Sequence, residues 1–141
     1  MSEINLITQY DKKSPISEAY RAIRTNIQFS RTGKAIKTIS FTSAVPSEGK
    51  STTVSNLAVI MAQTGKHILL IDCDMRKPVQ HKLFGLPNRG LSNCIVTEAK
   101  FDDVIQKDVM PNMDVLPSGP VPPNPSEILC SAKMEEMLKM V

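Results

Sequence analysis

Gly49, Lys50 and Ser51 close the run Ala44-Val45-Pro46-Ser47-Glu48-Gly49-Lys50-Ser51-Thr52. A residue without a Cβ, an ammonium and a hydroxyl in direct succession suit the gripping of a polyphosphate and its Mg²⁺. Further along, Asp72 and Asp74 stand two apart in Ile71-Asp72-Cys73-Asp74. On an extended chain both carboxylates point to the same side. That suits a hard cation with oxygen and water ligands, or a base that takes a proton from a hydroxyl. Arg76 and Lys77 follow at once and could neutralise the carboxylates or hold phosphate. The plainer alternative is an aspartate pair that caps the next helix, with Arg76 in a surface ion pair.

Both groups need elements to aim them. Lys37–Thr42 reads as a strand and Thr53–Gln63 as an amphipathic helix, so the Gly-Lys-Ser run falls on a strand-to-helix turn. The opening N–H groups of a helix have no intrahelical partner, and its dipole favours an anion there. The donors would be the amides of Ser47, Glu48, Gly49, Lys50, Ser51 and Thr52. Lys50 would reach the β- and γ-phosphates, and the Ser51 hydroxyl would bind Mg²⁺. Ala44 occupies the first glycine position of the usual pattern. Positive φ there would cost about 1–2 kcal/mol, so a turn shaped by Pro46 that keeps Ala44 at ordinary φ is expected. Glu48 is out of place beside phosphate and is expected to point into solvent. Gly65 ends the helix. The apolar run Lys66–Asp74 then reads as a parallel strand covered on both faces, with its carboxylates at the end where open α/β sheets collect ligands.

The remaining chain reads as support. Residues 1–13 are polar and expected to be loose, which leaves 14–141 as the folded domain. Ser14-Pro15 opens a helix whose apolar stripe is Ala19, Ile23 and Ile27, with Glu18 and Arg21 able to pair on one face. Short helices are expected over Val79–Phe84 and Leu91–Val96, and helical spacing over Phe101–Lys107. Met113–Pro117 reads as the third strand of a parallel set. The prolines of Gly119–Pro125 exclude helix and central strand. Ser126 would cap a last helix with Met134, Met137, Leu138 and Val141 inward.

Composition excludes several function classes. The 141 residues carry a net charge of +3, with scattered basic residues and 4% aromatics, so no nucleic-acid partner is expected. No apolar run approaches the roughly 20 residues of a membrane span, and the N-terminus lacks a signal-peptide core. Three widely spaced cysteines, Cys73, Cys94 and Cys130, fit reduced cytosolic thiols rather than disulfides or a zinc site. The acidic neighbours of Cys73 argue against a reactive thiolate there. His67 and His81 have no metal-ligand spacing.

Three motifs in order resemble the cytoplasmic kinase domain of bacterial tyrosine kinases of the capsule and exopolysaccharide type. Ser43–Thr52 resembles their phosphate loop, and Asp72-Cys73-Asp74-Met75-Arg76-Lys77-Pro78 their D-x-D-x-R-x-P motif. Glu18-Ala19-Tyr20-Arg21-Ala22-Ile23-Arg24 resembles their E-x-x-R-x-x-R segment. Weaker agreement runs through Gly90-Leu91-Ser92 and Pro122–Glu127. The resemblance implies an α/β, P-loop NTPase-like three-layer sandwich with a mainly parallel sheet, incomplete at its C-terminus. It implies ATP and Mg²⁺ as cofactors and phosphorylation of protein tyrosines, including the kinase's own. Lys50 would hold phosphate, Ser51 and Asp74 the metal, and Asp72 would be the base. Glu18, Arg21 and Arg24 would be contacts in a homo-oligomeric ring. The partner implied is a membrane-anchored activator whose cytoplasmic tail holds the kinase at the inner face of the plasma membrane.

Two features of that family are absent from these 141 residues: an Asp-Thr-Pro-Pro strand and a tyrosine-rich tail. The expectation is a truncated kinase domain whose sheet has an unpaired edge. Two other readings share the motifs. One is a partitioning or cell-division-site ATPase switch, although the early lysine of its K-G-G-x-G-K-T loop is missing from Ala44–Ser47. The other is a non-catalytic nucleotide-binding or oligomerisation remnant.

Overall fold

The computed structural model describes residues 5–30 and 33–141. Three strands form the sheet, β1 (Ile68–Ile71), β2 (Gln106–Met110) and β3 (Met113–Leu116), in the order β1-β3-β2. β1 and β3 are parallel, with Leu70 opposite Val115 and Ile71 opposite Leu116. β2 and β3 are antiparallel. Eight helices surround the sheet among the described residues: α1 (Ile7–Tyr10), α2 (Pro15–Phe29), α3 (Lys50–Ala62), α4 (Gln80–Leu83), α5 (Leu91–Val96), α6 (Phe101–Val104), α7 (Pro125–Leu129) and α8 (Ala132–Met140).

The period of two along the strands divides the core into two layers. Leu70, Met113 and Val115 face α3 and α1, meeting Ala58, Val59, Ala62 and Leu6. Leu116, with Leu69 and Ile71 alongside, meets Leu91, Ile95, Ile128, Met134 and Met137 on the opposite face. The result is the expected three-layer α/β sandwich, built on a mixed sheet. β3, paired on both sides, is buried throughout.

Several elements differ from their sequence expectation. The helix expected over Phe101–Lys107 stops at Val104, and Gln106–Met110 is strand β2, which turns back through Asn112 at φ 61° to pair with β3. Asp108, at φ 51°, interrupts the ladder, and its amide donates to Asp114 Oδ1 at 2.8 Å instead. Burial pushes the Asp114 carboxyl up, but that amide, His67 and Lys107 outweigh it and hold the group below its usual range. The residues 37–42 form no strand and are mostly exposed, and the second edge of β1 pairs with no strand among the described residues. Strand propensity makes a strand only where a neighbouring backbone supplies the other half of the ladder.

The segment expected to be loose packs from its described part onward, with residues 1–4 outside the described chain. Leu6 is 1% exposed in the α3-side core. Thr8 donates its amide and its hydroxyl to Asn56 Oδ1, at 3.2 and 2.8 Å. Ser14 caps α2 as its residue type demands, accepting from the Ser17 amide at 3.0 Å. The inward face of α2 is polar, however. Ser17 is buried and Arg24 turns to the Ile60 carbonyl, whereas Ala19 and Ile23 are exposed. From Ser55 onward α3 is almost wholly buried, because α1 and α2 cover the flank that the sheet leaves open. The last helical stretch breaks at Cys130 and restarts from Ser131, which accepts from the Met134 amide. Met134 and Met137 are buried there, while Leu138 and Val141 are exposed.

Candidate nucleotide site

Gly49 precedes α3 at φ 84°, a left-handed conformation that costs glycine little. Ala44 keeps an ordinary φ, as expected; the strained position is Ser47, at φ 64°. The turn therefore places its one unfavourable residue two positions before Gly49, at a cost of about 1–2 kcal/mol. Among the described residues, none of the amides from Ser47 to Thr52 donates to a protein acceptor; the first bond of the helix is Thr53 N–H to the Gly49 carbonyl, 2.9 Å. Six unpaired donors at the opening of a 13-residue helix are what an anion requires.

Glu48 does not point away. Its Oε2 accepts from the amides of Ala44 (3.0 Å) and Val45 (3.3 Å), so the carboxylate closes the loop on itself. This explains a charge that is otherwise repulsive beside phosphate: it satisfies the amides at the loop's start and leaves those at its end open.

The acidic motif leaves the carboxyl end of β1, and the structure brings it to the loop. Lys50 Nζ stands 3.0 Å from Asp74 Oδ2, both side chains about 30% exposed. An ion pair of that exposure contributes under about 1 kcal/mol, weak enough for the lysine to exchange partners. Burial raises the Asp74 pKa, but the Lys77 amide, the Lys50 ammonium and the Arg76 amide outweigh it and hold the carboxyl below its ordinary range. Cys73, between the two aspartates, is pushed up by desolvation and then by Asp72, with Lys50 opposing, so its thiol stays protonated at neutral pH.

Asp72 is held differently. It is 6% exposed, its Oδ1 accepting from the Asp74 amide at 3.0 Å and its Oδ2 from Val79 and Gln80 at 3.2 and 3.1 Å. Its geometry includes the helix-capping role weighed as the plainer alternative, because it organises the turn into α4. Gln80, buried at 3% exposure, carries that order across to α3: its Nε2 donates to the Ser51 carbonyl at 3.2 Å and its Oε1 accepts from Ser55 Oγ at 2.6 Å. Neither Gln80 nor Ser55 stood out in the sequence. A polar residue eight positions beyond Asp72 in a short helix carries no signal that it will reach back to the phosphate loop.

A third segment borders this end of the sheet. Gly90 lies so close to the chain after β3 that a Cβ would stand 1.8 Å from the Pro117 carbonyl oxygen. Leu91 and Ser92 amides donate to the Pro117 and Ser118 carbonyls, and Asn88 exchanges two bonds with Gly119. Glu18 and Arg21 pair within α2 at 3.0 Å, and Arg21 also donates to the Lys12 carbonyl. Arg24 docks α2 on α3 through the Ile60 carbonyl at 3.4 Å.

The residues present fit a magnesium-bound nucleotide. No group of three or more His, Cys, Asp or Glu among the described residues could cage a metal. A magnesium ion does not need one, since it is bound through one or two protein oxygens, phosphate and water. Ser51 and Asp74 would hold it here. No helix among the described residues is long and apolar enough to cross a membrane.

The chain is similar to known proteins. A family model described as "AAA domain" matches residues 36–139. The tyrosine-protein kinase YwqD of Bacillus subtilis is 47% identical over 134 residues, covering 94% of this chain and 56% of that protein. The solved structure of the chimerical protein CapA2B2 superposes with a TM-score of 0.90 at 45% identity, covering 96% of this chain and 60% of the other. The kinase domain of Escherichia coli tyrosine kinase ETK superposes with a TM-score of 0.92 at 33% identity, covering 99% and 55%. The chain thus spans a little over half the length of each of these three proteins.

Proposed function

Since this chain belongs to the AAA domain family, we propose that it is the ATP-binding part of a bacterial protein-tyrosine kinase serving capsule or exopolysaccharide synthesis. The observation that carries this reading is the 3.0 Å approach of Lys50 to Asp74. It joins the phosphate loop and the acidic strand end at one place, beside six unpaired amides.

In this reading the amides of Ser47 to Thr52 bind the phosphates, and Lys50 leaves Asp74 for the β- and γ-phosphate oxygens. Mg²⁺ supplies charge neutralisation on the transferring phosphoryl group. The Asp74 carboxylate, once freed, and the Ser51 hydroxyl would hold that ion. Asp72 keeps one acceptor position on Oδ1 beyond its bond to the Asp74 amide, and this position receives the tyrosine hydroxyl's proton. The three amide bonds aim it, so Asp72 is both a base and a fixed strut of the turn. Glu18 and Arg21, exposed and half-exposed, serve as ring contacts between copies, and Arg24 sets the angle of α2 that presents them. A membrane-anchored activator's cytoplasmic tail brings the kinase to the inner face of the plasma membrane.

The test is incubation with labelled ATP, Mg²⁺ and an activator tail, followed by phosphoamino-acid analysis. Label on tyrosine that Lys50→Met lowers by about 10²–10³-fold supports the kinase. Free phosphate without protein label would instead indicate an ATPase switch, and no turnover with retained ATP binding a non-catalytic module.

A further inference from the structure

Beside Asp74 lies a cleft of about 500 Å³ whose charged lining is entirely cationic: Arg76, Lys77 and Lys82, with His81 alongside and Asn88 closing one wall. Among the described residues no carboxylate pairs with Arg76, Lys77 or Lys82, although six ion pairs occur elsewhere in the molecule. The nearest polar side-chain contact of Arg76 is Ser126 Oγ at 3.4 Å. His81 Nδ1 is buried without a hydrogen-bond partner. Asn88 is fixed by its two bonds to Gly119, so that wall is rigid. Cations gathered in a concave site without counter-charges raise the local concentration of anions.

The position of the cleft says which anion. Its rim is one hydrogen bond from the reacting centre, because the Lys77 amide donates to Asp74 Oδ1 at 3.0 Å while Asp74 Oδ2 holds Lys50. The cations are distributed over the 76–79 loop and α4 rather than gathered on one turn, which suits successive carboxylates on a chain better than a single phosphate. We propose that this cleft binds acidic side chains flanking the acceptor tyrosine, and so selects Asp- or Glu-bearing peptide segments as substrates. The inference rests on the kinase reading above and assigns its substrate class.

Binding and turnover are measured separately so that the two ideas fail separately. A fluorescent peptide with phenylalanine in place of tyrosine and glutamates on either side is titrated against the full chain without ATP. The expected result is about tenfold tighter binding than a glutamine-flanked control, the size of two or three partly exposed ion pairs, weakening as salt rises. Lys77→Glu/Lys82→Glu removes the preference and transfers it to a lysine-flanked peptide, while Lys77→Gln/Lys82→Gln reduces it; circular dichroism of both variants reports folding. Equal binding of the two peptides, or a preference that survives both variants, overturns the proposal. So does phosphotyrosine or inorganic phosphate binding in the cleft where the acidic peptide does not. With the tyrosine peptide and labelled ATP, absence of label despite acidic preference refutes the kinase reading alone.

Discussion

The two halves of the candidate nucleotide site are built in opposite ways. The acidic half, Asp72 to Gln80, is buried at both ends and bound by backbone amides, with Gln80 tying it to α3. The phosphate-loop half, residues 35–49, is almost wholly exposed, unpaired as a strand and closed mainly by one glutamate. The difference teaches how the site divides its work. Carboxylates that must be aimed are fixed in advance, whereas amides that must meet a ligand are left without partners.

The largest expected break in this contrast is Asp72→Ala. It strips the acceptor from three backbone amides at once, and leaving buried donors unpaired costs about 1–3 kcal/mol, more where a charge is lost. We expect a destabilisation of about 3 kcal/mol in urea unfolding; a change under about 1 kcal/mol would show that the acidic half is not the rigid one.

A smaller effect is expected at Asp74, where the two halves touch. Its folded pKa is depressed, so its contribution is fully present above the unfolded value near pH 4 and is lost as pH falls through the lower folded value. Asp74→Asn should cost under about 1 kcal/mol at neutral pH and make the loss of stability below about pH 4 shallower. Unfolding midpoints at a series of acid pH values measure this, and an unchanged acid slope would mean that the bonds of Asp74 to the Lys77 amide and to Lys50 do not persist in solution.

The smallest effect should lie in the exposed half. Ser47→Gly relieves a left-handed residue but adds freedom to the unfolded chain, leaving a net gain of roughly 0.5 kcal/mol. A loss of stability on calorimetric melting would show that the Ser47 side chain, not its backbone, matters to the loop.

Legibility followed the same division. Gly49-Lys50-Ser51 was readable as a turn into a helix because short-range spacing dictates it. The aspartates were legible in place and not in direction: β1 ends at Ile71, and Asp72 turns to the Val79 and Gln80 amides while Asp74 turns to Lys50. The cap at Ser14, helix α5 and the ordinary φ of Ala44 were readable for the same local reason. Less legible was Glu48, whose carboxylate turns back to amides three and four residues before it. Strand β2 was missed because Phe101, Val104 and Ile105 have helical spacing, and only pairing with β3 decides the residues after them. The inward face of α2 was also misassigned at Ala19 and Ile23, though Ile27 of the same stripe is half-buried, since a docked arginine can replace apolar contacts when a carbonyl is in reach.

From its residues alone this chain determined a phosphate loop, a pair of carboxylates at a strand's end and a layered α/β arrangement, because each depends on neighbours within a few positions. Tertiary structure alone decided that Lys50 meets Asp74, that Gln80 bridges Asp72 to Ser51, and that three cations share one cleft without a counter-ion. Those contacts join residues from different elements, and their distances follow from how α3 and α4 pack at the end of the sheet, which no local pattern records.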